Sequence, residues 1–322
     1  MNRRKFITSS IAGSTLVSFG GLNGALGAIN STSGEMPYAI LGRTGEKVSR
    51  LGVGGGRFMG EERTAGLIHD ILHRAVELGI NYVDTAPNYG NAQEKMGPAI
   101  HELRDKIFLV TKVEESTYEG VWLQLKQSLK DLQTDHLDLV HMHSFGNKER
   151  WADIDFIMSK KGALYALTEA KEKGVIGYIG LSTHNAPSRC MQVIESDLID
   201  VIMVAVNFVV QHVYDFEHAL CIRAAQKNLG QVAMKMLGGA TENGIHIPAG
   251  YYEKAIHYAL SIPGMHAGLI GFEKVTEVEQ AVQAVKNFHP LLEEEQFSLY
   301  QKGLELLAAD DSWKAPYGMP VL

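Results

Sequence analysis

The chain has 322 residues, of which 45% are hydrophobic and 21% charged, and its formal net charge is −7 at pH 7. This length suits one large α/β domain and does not require a second one. The negative charge argues against nucleic acid as a partner. The cysteines, Cys190 and Cys221, have the spacing of no metal motif. We expect each to pack in the interior, and whether they pair stays open.

The amino terminus resembles a twin-arginine export signal. Arg3 and Arg4 precede a mildly apolar run over 7–26, and small residues continue to Ala28. This order is typical of a signal that is removed after export to the periplasm or secretion. Glycine and serine interrupt the apolar run, so a membrane anchor is the less favoured alternative. The predicted parts are a signal peptide over 1–28, a flexible lead-in over 29–36 and one domain over 37–322.

Strand-like and helix-like segments alternate along the domain. A hairpin is predicted first, over 38–49 with its turn at 42–45, and a helix and tail are expected at the carboxyl end. Segments between the later strands have helical spacing of apolar residues, for example Leu123, Leu125 and Leu129. The eight strand-like runs are 50–54, 81–84, 107–112, 137–142, 176–181, 200–206, 230–235 and 267–271.

Eight β-then-α units predict a closed parallel (β/α)8 barrel of the TIM type. An open doubly wound sheet is the alternative. It is less favoured because the glycine-rich stretch over 52–56 lacks the full dinucleotide fingerprint and is not followed by a clear helix start.

Four chemically distinct side chains stand at or just after strand-like runs, namely Asp84, Tyr89, Lys112 and His143. The carboxyl ends of parallel barrel strands meet at one face, so these side chains should converge there. A lysine ammonium favours phenolate and would lower the tyrosine pKa from about 10. We therefore expect Asp84 to hold Lys112, His143 to orient a carbonyl group and Tyr89 to act as general acid.

This arrangement resembles the aldo-keto reductase family from about residue 41 to 285. The segment over 174–182 resembles the fifth strand of that family, and 237–239 resembles the stretch after its seventh strand. The resemblance implies an NAD(P)-dependent oxidoreductase that transfers hydride between nicotinamide and a carbonyl or alcohol substrate, with sugars as one candidate class. Two alternatives stay open: a redox-neutral epimerase or lyase that retains its cofactor, and a cofactor-binding accessory protein.

The resemblance also implies how the nicotinamide end of the cofactor is held. Ser182 and Thr183 stand where the family presents Ser and Asn to the nicotinamide amide. Met203 stands in place of a glutamine, and Met234 replaces the aromatic residue that stacks on the ring. A thioether can still pack against a ring face. Lys235 replaces a small hydroxyl residue near the pyrophosphate, where its charge would favour binding.

At the adenosine end the resemblance points in two directions. Glu277 stands where members that prefer NADP present an arginine, which favours NAD, whereas Lys274 favours a phosphate. The choice between NAD and NADP stays open. The predicted cofactor residues are Gly54, Gly55, Ser182, Thr183, Met203, Met234, Lys235, Leu237, Gly271, Glu273, Lys274 and Glu277.

The remaining predictions concern substrate and metal. His184, Trp313 and Tyr317 are candidates for contact with a small-molecule substrate. His141 lies two positions before His143 and therefore on the same strand face, which suggests a metal site. Because no third ligand is indicated, a core histidine is favoured, and the sequence predicts neither a metal nor an iron–sulfur cluster. The export machinery is the other expected partner, and the oligomeric state stays open.

Overall fold

The computed structural model describes residues 34–238 and 246–309. The predicted signal peptide, Trp313 and Tyr317 lie outside the described residues. Of the predicted lead-in, residues 34–36 are described, and Met36 is buried at 6% exposure. Packing therefore begins just before the first strand.

The strands form a hairpin and a closed barrel. The two strands of the hairpin pair antiparallel, and the eight barrel strands pair in parallel in chain order, with the last returning to the first. The hairpin strands are β1 (Tyr38–Ile40) and β2 (Lys47–Ser49). The barrel strands are β3 (Leu51–Gly54), β4 (Tyr82–Asp84), β5 (Phe108–Val113), β6 (Leu137–Met142), β7 (Ile176–Thr183), β8 (Val201–Ala205), β9 (Gly230–Met234) and β10 (Ala267–Ile270).

The closed barrel confirms the predicted fold and rules out the open doubly wound sheet. Each barrel strand lies within two residues of its predicted run at both ends. The runs were readable because strands buried on both faces are continuously apolar.

Helices surround the barrel. The α-helices in the described part of the chain are α1 (Ala65–Glu77), α2 (Ala92–Leu103), α3 (Tyr118–Asp131), α4 (Ile154–Met158), α5 (Ala163–Glu172), α6 (Pro187–Glu195), α7 (Ile222–Gln226), α8 (Tyr252–Ser261), α9 (Val275–Lys286) and α10 (Glu293–Ala309). Short 3-10 turns lie at Gly42–Thr44, Gly55–Arg57, Arg104–Lys106, Val210–His212 and Ala249–Tyr251, and a π-helical turn at Glu217–Cys221 leads into α7. No helix among the described residues is both long and apolar enough to cross a membrane.

Local sequence explains where two of the longer helices begin. The hydroxyl of Thr64 accepts a hydrogen bond from the Leu67 amide before α1, and Thr117 does the same for Gly120 before α3. The apolar pattern of α3 was assigned one wrong residue. Leu125 is buried, but Leu123 is 68% exposed, because residues two apart on a helix do not share a face.

The cysteines pack as expected. Cys190 and Cys221 are both buried and unpaired. Burial raises the pKa of the Cys190 thiol to about 12 and that of Cys221 above its ordinary range. Both thiols are therefore protonated and unreactive at neutral pH.

The hairpin closes the amino-terminal end of the barrel. Leu41 and Val48 are fully buried and belong to the same apolar cluster as the interior barrel residues. Gly42 has a φ of +50°, and a Cβ there would lie 2.3 Å from the Gly230 nitrogen. Only glycine permits this approach of the turn to β9. The opposite end of the barrel is left open for the site.

Replacing Leu41 with alanine should destabilise the protein by about 2–5 kcal/mol, because the change leaves a cavity beneath the hairpin. Urea unfolding would measure the loss. Ile40→Ala is the matched control, since Ile40 is adjacent and 50% exposed. Equal effects of the two changes would show that Leu41 does not seal the barrel.

Candidate active site

A buried ion pair lies at the centre of the open barrel end. Asp84 is the last residue of β4, and Lys112 lies on the neighbouring β5. The Lys112 Nζ donates to Asp84 Oδ2 at 2.6 Å and to the Thr85 carbonyl at 2.8 Å. Lys112 is only 1% exposed. Burial alone would lower the lysine pKa, but the charges of Asp84 and Tyr89 outweigh it and raise the pKa. Lys112 therefore stays a cation.

Tyr89 lies beside this pair. The Lys112 Nζ is 5.0 Å from the centroid of the Tyr89 ring, and the ring packs over Gly56, where a Cβ would lie 3.6 Å from it. Burial raises the pKa of the phenol above its ordinary value, while the ammonium of Lys112 opposes that rise. The phenol is therefore protonated at neutral pH, next to a cation that stabilises the phenolate formed when it gives up the proton.

His143 completes the predicted group. It follows β6, is 4% exposed, and meets the Tyr89 ring edge-on with centroids 5.9 Å apart. Burial and the charges of Lys112, Arg150 and Lys235 hold its pKa well below the ordinary value. His143 is thus a neutral imidazole, which can donate a hydrogen bond without adding charge. All four predicted catalytic side chains come together.

His143 contacts two residues that the sequence analysis did not identify. Glu114 follows β5, and its Oε1 lies 3.2 Å from His143 Nδ1 and 2.6 Å from Arg150 Nη1. Trp151 Nε1 donates to the His143 carbonyl at 2.7 Å. His143 Nδ1 makes no hydrogen bond among the described residues, so the neutral imidazole is free to carry its single proton on Nε2. The sequence signal that could have identified Glu114 is its position two residues after Lys112, which places both side chains on the same side of the chain.

A cleft of about 510 Å³ opens onto two of the four predicted catalytic residues, Asp84 and Tyr89, and Lys112 and His143 lie behind its lining. Its volume falls in the range of small-molecule sites, about 300–1,000 Å³. Asp84, Tyr89 and His184 line it. The predicted cofactor residues that also line it are Gly54, Met203, Met234, Lys235, Leu237, Gly271 and Glu273. His184 contacts Ser144 Oγ through Nδ1 at 3.4 Å, which places its ring at the cleft wall.

Ser182 and Thr183 are not among the residues that line the cleft. Both are fully buried. Ser182 Oγ accepts from the Ser144 amide at 3.0 Å, and Thr183 Oγ1 donates to the Asn185 carbonyl at 2.6 Å. These hydroxyls hold the loops after β6 and β7. Gly55 is also buried. A Cβ there would lie 2.7 Å from the Asp84 carbonyl oxygen, so this position has no room for a side chain.

Lys235 brings a second cation to the cleft. It follows β9 with a φ of +60°, a left-handed conformation that is unusual for lysine. The Asn207 side chain holds this turn by donating to the Lys235 carbonyl at 2.9 Å. Burial, Arg57 and Lys112 lower the Lys235 pKa to about 8. Its charge is therefore present at neutral pH and is lost as the pH rises.

The predicted adenosine end is occupied by internal contacts. Glu277 Oε2 accepts from the Glu273 amide at 2.7 Å, so it caps the first turn of α9. Glu273 lies 3.4 Å from Arg57 and 3.0 Å from Arg63. Lys274 is exposed at the start of α9. Sequence reasoning missed both arginines, because only the barrel closure brings β3 next to the loop before α9.

His141 is a core residue. It is fully buried, and its ring packs on Gly180, where a Cβ would lie 2.3 Å from Nδ1. Burial holds its pKa well below the ordinary value. Within the described ranges it belongs to no cluster of three metal-binding side chains.

Comparisons with known proteins agree with this geometry. Residues 50–249 match the model of the Aldo/keto reductase family. The oxidoreductase YqkF of Bacillus subtilis, whose function is uncharacterized, is 27% identical over 317 residues, covering 85% of this chain and 97% of YqkF. Methylglyoxal reductase DkgB of Salmonella typhi is 35% identical over 118 residues, covering 35% of this chain and 41% of DkgB. The chain thus spans less than half of DkgB.

A solved structure shares the fold. An aldo-keto reductase from Bacillus halodurans superposes with a TM-score of 0.66 and 24% identity, covering 84% of this chain and 96% of that one. At this identity the likeness concerns the fold alone.

Replacing Lys112 with methionine should raise the Tyr89 pKa further, since the opposing charge is removed. The buried Asp84 carboxyl should then take up a proton, because an unpaired buried charge is costly. NMR titration of tyrosines labelled with 13C at Cζ, with Tyr89→Phe to assign the signal, would measure the shift.

Lys106→Met is the control, because Lys106 is exposed outside the barrel. An unchanged Tyr89 titration in Lys112→Met would show that the ammonium does not act on the phenol.

Proposed function

The chain belongs to the aldo/keto reductase family and is an NAD(P)-dependent oxidoreductase, and from this premise we propose that Tyr89 is its proton donor and acceptor. The buried Lys112–Asp84 pair beside the Tyr89 phenol carries the proposal. The substrate in this proposal is a small polar carbonyl compound or the matching alcohol.

The cleft residues fit a nicotinamide dinucleotide. Met203 and Met234 offer apolar surface for a ring, and Lys235 and Arg57 offer charge for a pyrophosphate. The bound dinucleotide supplies or accepts the hydride. Gly271 leaves room for this approach, because a Cβ there would lie 2.5 Å from Arg57 Cγ.

The residues of the chain control the proton and the carbonyl. With its single proton on Nε2, neutral His143 donates a hydrogen bond to the substrate oxygen. Tyr89 gives its proton to the same oxygen as charge develops on it. Lys112 stabilises the phenolate that remains, and Asp84 keeps Lys112 in place. In the oxidative direction each step is reversed.

Polar side chains line part of the cleft, among them Glu62, Arg63 and His184, and they agree with a sugar or another small carbonyl compound. His184 offers a ring nitrogen at the cleft wall. Among the relatives, DkgB is named as a methylglyoxal reductase and a yeast protein as D-arabinose 1-dehydrogenase. Both names describe small polar substrates, which supports the same class here.

The adenosine end favours NAD within this proposal. A 2′-phosphate would have to compete with Glu273 for Arg57 and Arg63, and the Glu273 carboxylate would repel it. A ribose hydroxyl carries no such charge and can donate to a carboxylate.

Tyr89→Phe should lower turnover by about 100- to 10,000-fold, the usual contribution of a general acid, and leave dinucleotide affinity nearly unchanged. Stopped-flow measurement of NADH oxidation with a panel of aldehydes and aldoses, together with fluorescence titration of NADH, would separate the two. Tyr178→Phe is the control, since its hydroxyl binds the Thr44 carbonyl in the hairpin turn at the opposite barrel end. Full turnover by Tyr89→Phe would remove Tyr89 from this role.

The affinity for dinucleotide should fall as the pH rises through about 8, because the lowered pKa of Lys235 makes it lose its charge there. Titrations between pH 7 and pH 9 would show the fall. In Lys235→Arg the charge persists and the fall should disappear, whereas Lys235→Met should bind weakly at every pH. A fall that persists in Lys235→Met would assign it to another group.

Export through the twin-arginine route belongs to the same proposal. Its support is Arg3 and Arg4 followed by an apolar run and small residues up to Ala28. This route carries folded proteins, so the barrel can bind its cofactor in the cytoplasm first.

Replacing Arg3 and Arg4 together by lysine should strand the precursor in the cytoplasm, although the charge is preserved. Cell fractionation with amino-terminal sequencing would check this, with an exported terminus expected near Ala28. Normal export of the double variant would contradict recognition of the arginine pair.

A further inference from the structure

Two histidines and one glutamate form a cluster on the outer surface of the barrel. His69 and His73 lie one turn apart on α1, and Glu102 lies near the end of α2. Their ligand atoms all lie within 4.8 Å of one another. None of the three lines the cleft, so the reaction site does not explain their arrangement.

The distances fit a tetrahedral metal ion. Glu102 Oε2 lies 3.3 Å from His69 Nε2 and 3.1 Å from His73 Nε2. Ligands bound at about 2.1 Å to a tetrahedral Zn²⁺ lie about 3.4 Å from one another. The two imidazole rings stack with centroids 4.1 Å and planes 27° apart, and both Nε2 atoms lie near the same oxygen of Glu102.

Hydrogen bonding accounts for only part of the cluster. His69 Nε2 is within hydrogen-bond geometry of Glu102. His73 Nε2 is shielded from solvent and has no hydrogen-bond partner among the described residues, although the carboxylate oxygen is near. A shielded polar nitrogen without a hydrogen bond calls for an explanation, and a metal ion between this nitrogen and the carboxylate oxygen supplies one.

Both helices hold the three side chains in place. Ile71 and Leu72, between the histidines, are buried at 1% and 0% exposure, and Ile100 and Leu103 anchor α2 on either side of Glu102. Asp70 Oδ1 lies 3.5 Å from His69 Nδ1, where a carboxylate orients a metal-bound imidazole. The ligands are therefore set by the fold before any ion binds.

We propose that His69, His73 and Glu102 bind one Zn²⁺ ion that links α1 to α2. Imidazole and carboxylate ligands suit zinc, and three protein ligands leave the fourth position to solvent. The side chains are 40%, 32% and 52% exposed, which gives the ion a path of entry. The site is structural: Asp70 faces the distal nitrogen of His69 rather than the open position, so Asp70 is not placed to activate a zinc-bound water.

The test uses full-length protein without a histidine tag, freed of metal with a chelator. Calorimetric titration with ZnCl2 should give one ion per chain, and X-ray absorption should show two imidazole nitrogens at about 2.0–2.1 Å. His69→Ala, His73→Ala and Glu102→Gln should each weaken binding more than tenfold. Asp70→Asn should weaken it about tenfold, as loss of an orienting partner does.

His101→Ala is the matched control, because His101 is the exposed neighbour of Glu102 and contacts the Gln133 carbonyl instead. It should bind Zn²⁺ like the unchanged chain. The ion should raise Tm in the unchanged chain and in His101→Ala but not in His73→Ala, since it binds the folded helix pair alone. Absence of stoichiometric binding would overturn the proposal, and so would His69→Ala and His73→Ala variants that bind Zn²⁺ as tightly as the unchanged chain.

Discussion

A lysine that is 1% exposed can keep its charge inside a protein only beside a carboxylate, and here Lys112 and Asp84 meet at 2.6 Å. Burying either charge without the other would strongly destabilise the protein. The pair depends on strand register: Asp84 lies opposite Val110 on β5, and Lys112 is two residues further along the same face. The barrel therefore brings the two charged groups into contact, where the ammonium of Lys112 can act on Tyr89.

Burial, and then positive charge from several elements, determines the protonation state of His143. Lys112, Arg150 and Lys235 all lower the pKa of His143. A neutral imidazole results, and Glu114 faces one of its nitrogens. In the proposed mechanism proton donation is left to Tyr89, next to a cation that stabilises its phenolate form. The division of roles between a phenol and an imidazole thus rests on electrostatics rather than on residue type.

The rest of the cleft shows how a shared barrel is adapted. The resemblance to the family implies that two methionines and Lys235 replace a glutamine, an aromatic ring and a small hydroxyl residue. The carboxylate of Glu273 is held by Arg57 and Arg63, which joins β3 to the loop before α9. In the proposed function these residues contact the dinucleotide rather than take part in the proton transfer.

The amino-acid sequence alone determined the barrel and its four central residues. Continuous apolar runs locate buried strands, and strand ends in a parallel barrel meet at one face, so Asp84, Tyr89, Lys112 and His143 could be grouped without coordinates. The apolar spacing of single helix residues was less reliable. Leu123 was included in the apolar spacing of α3, but its side chain is 68% exposed.

Only the tertiary structure decided which side chains assist those four. Glu114 meets Arg150 and His143 across two strands, and Arg57 meets Glu273 through closure of the barrel. His69 and Glu102 are 33 residues apart and meet because α1 packs against α2. Such contacts follow from the relative position of distant elements, which apolar periodicity does not encode. The tertiary structure also decided the direction in which the pKa of Tyr89 moves. Burial raises this pKa more than the charge of Lys112 lowers it, and burial arises only when the barrel excludes water.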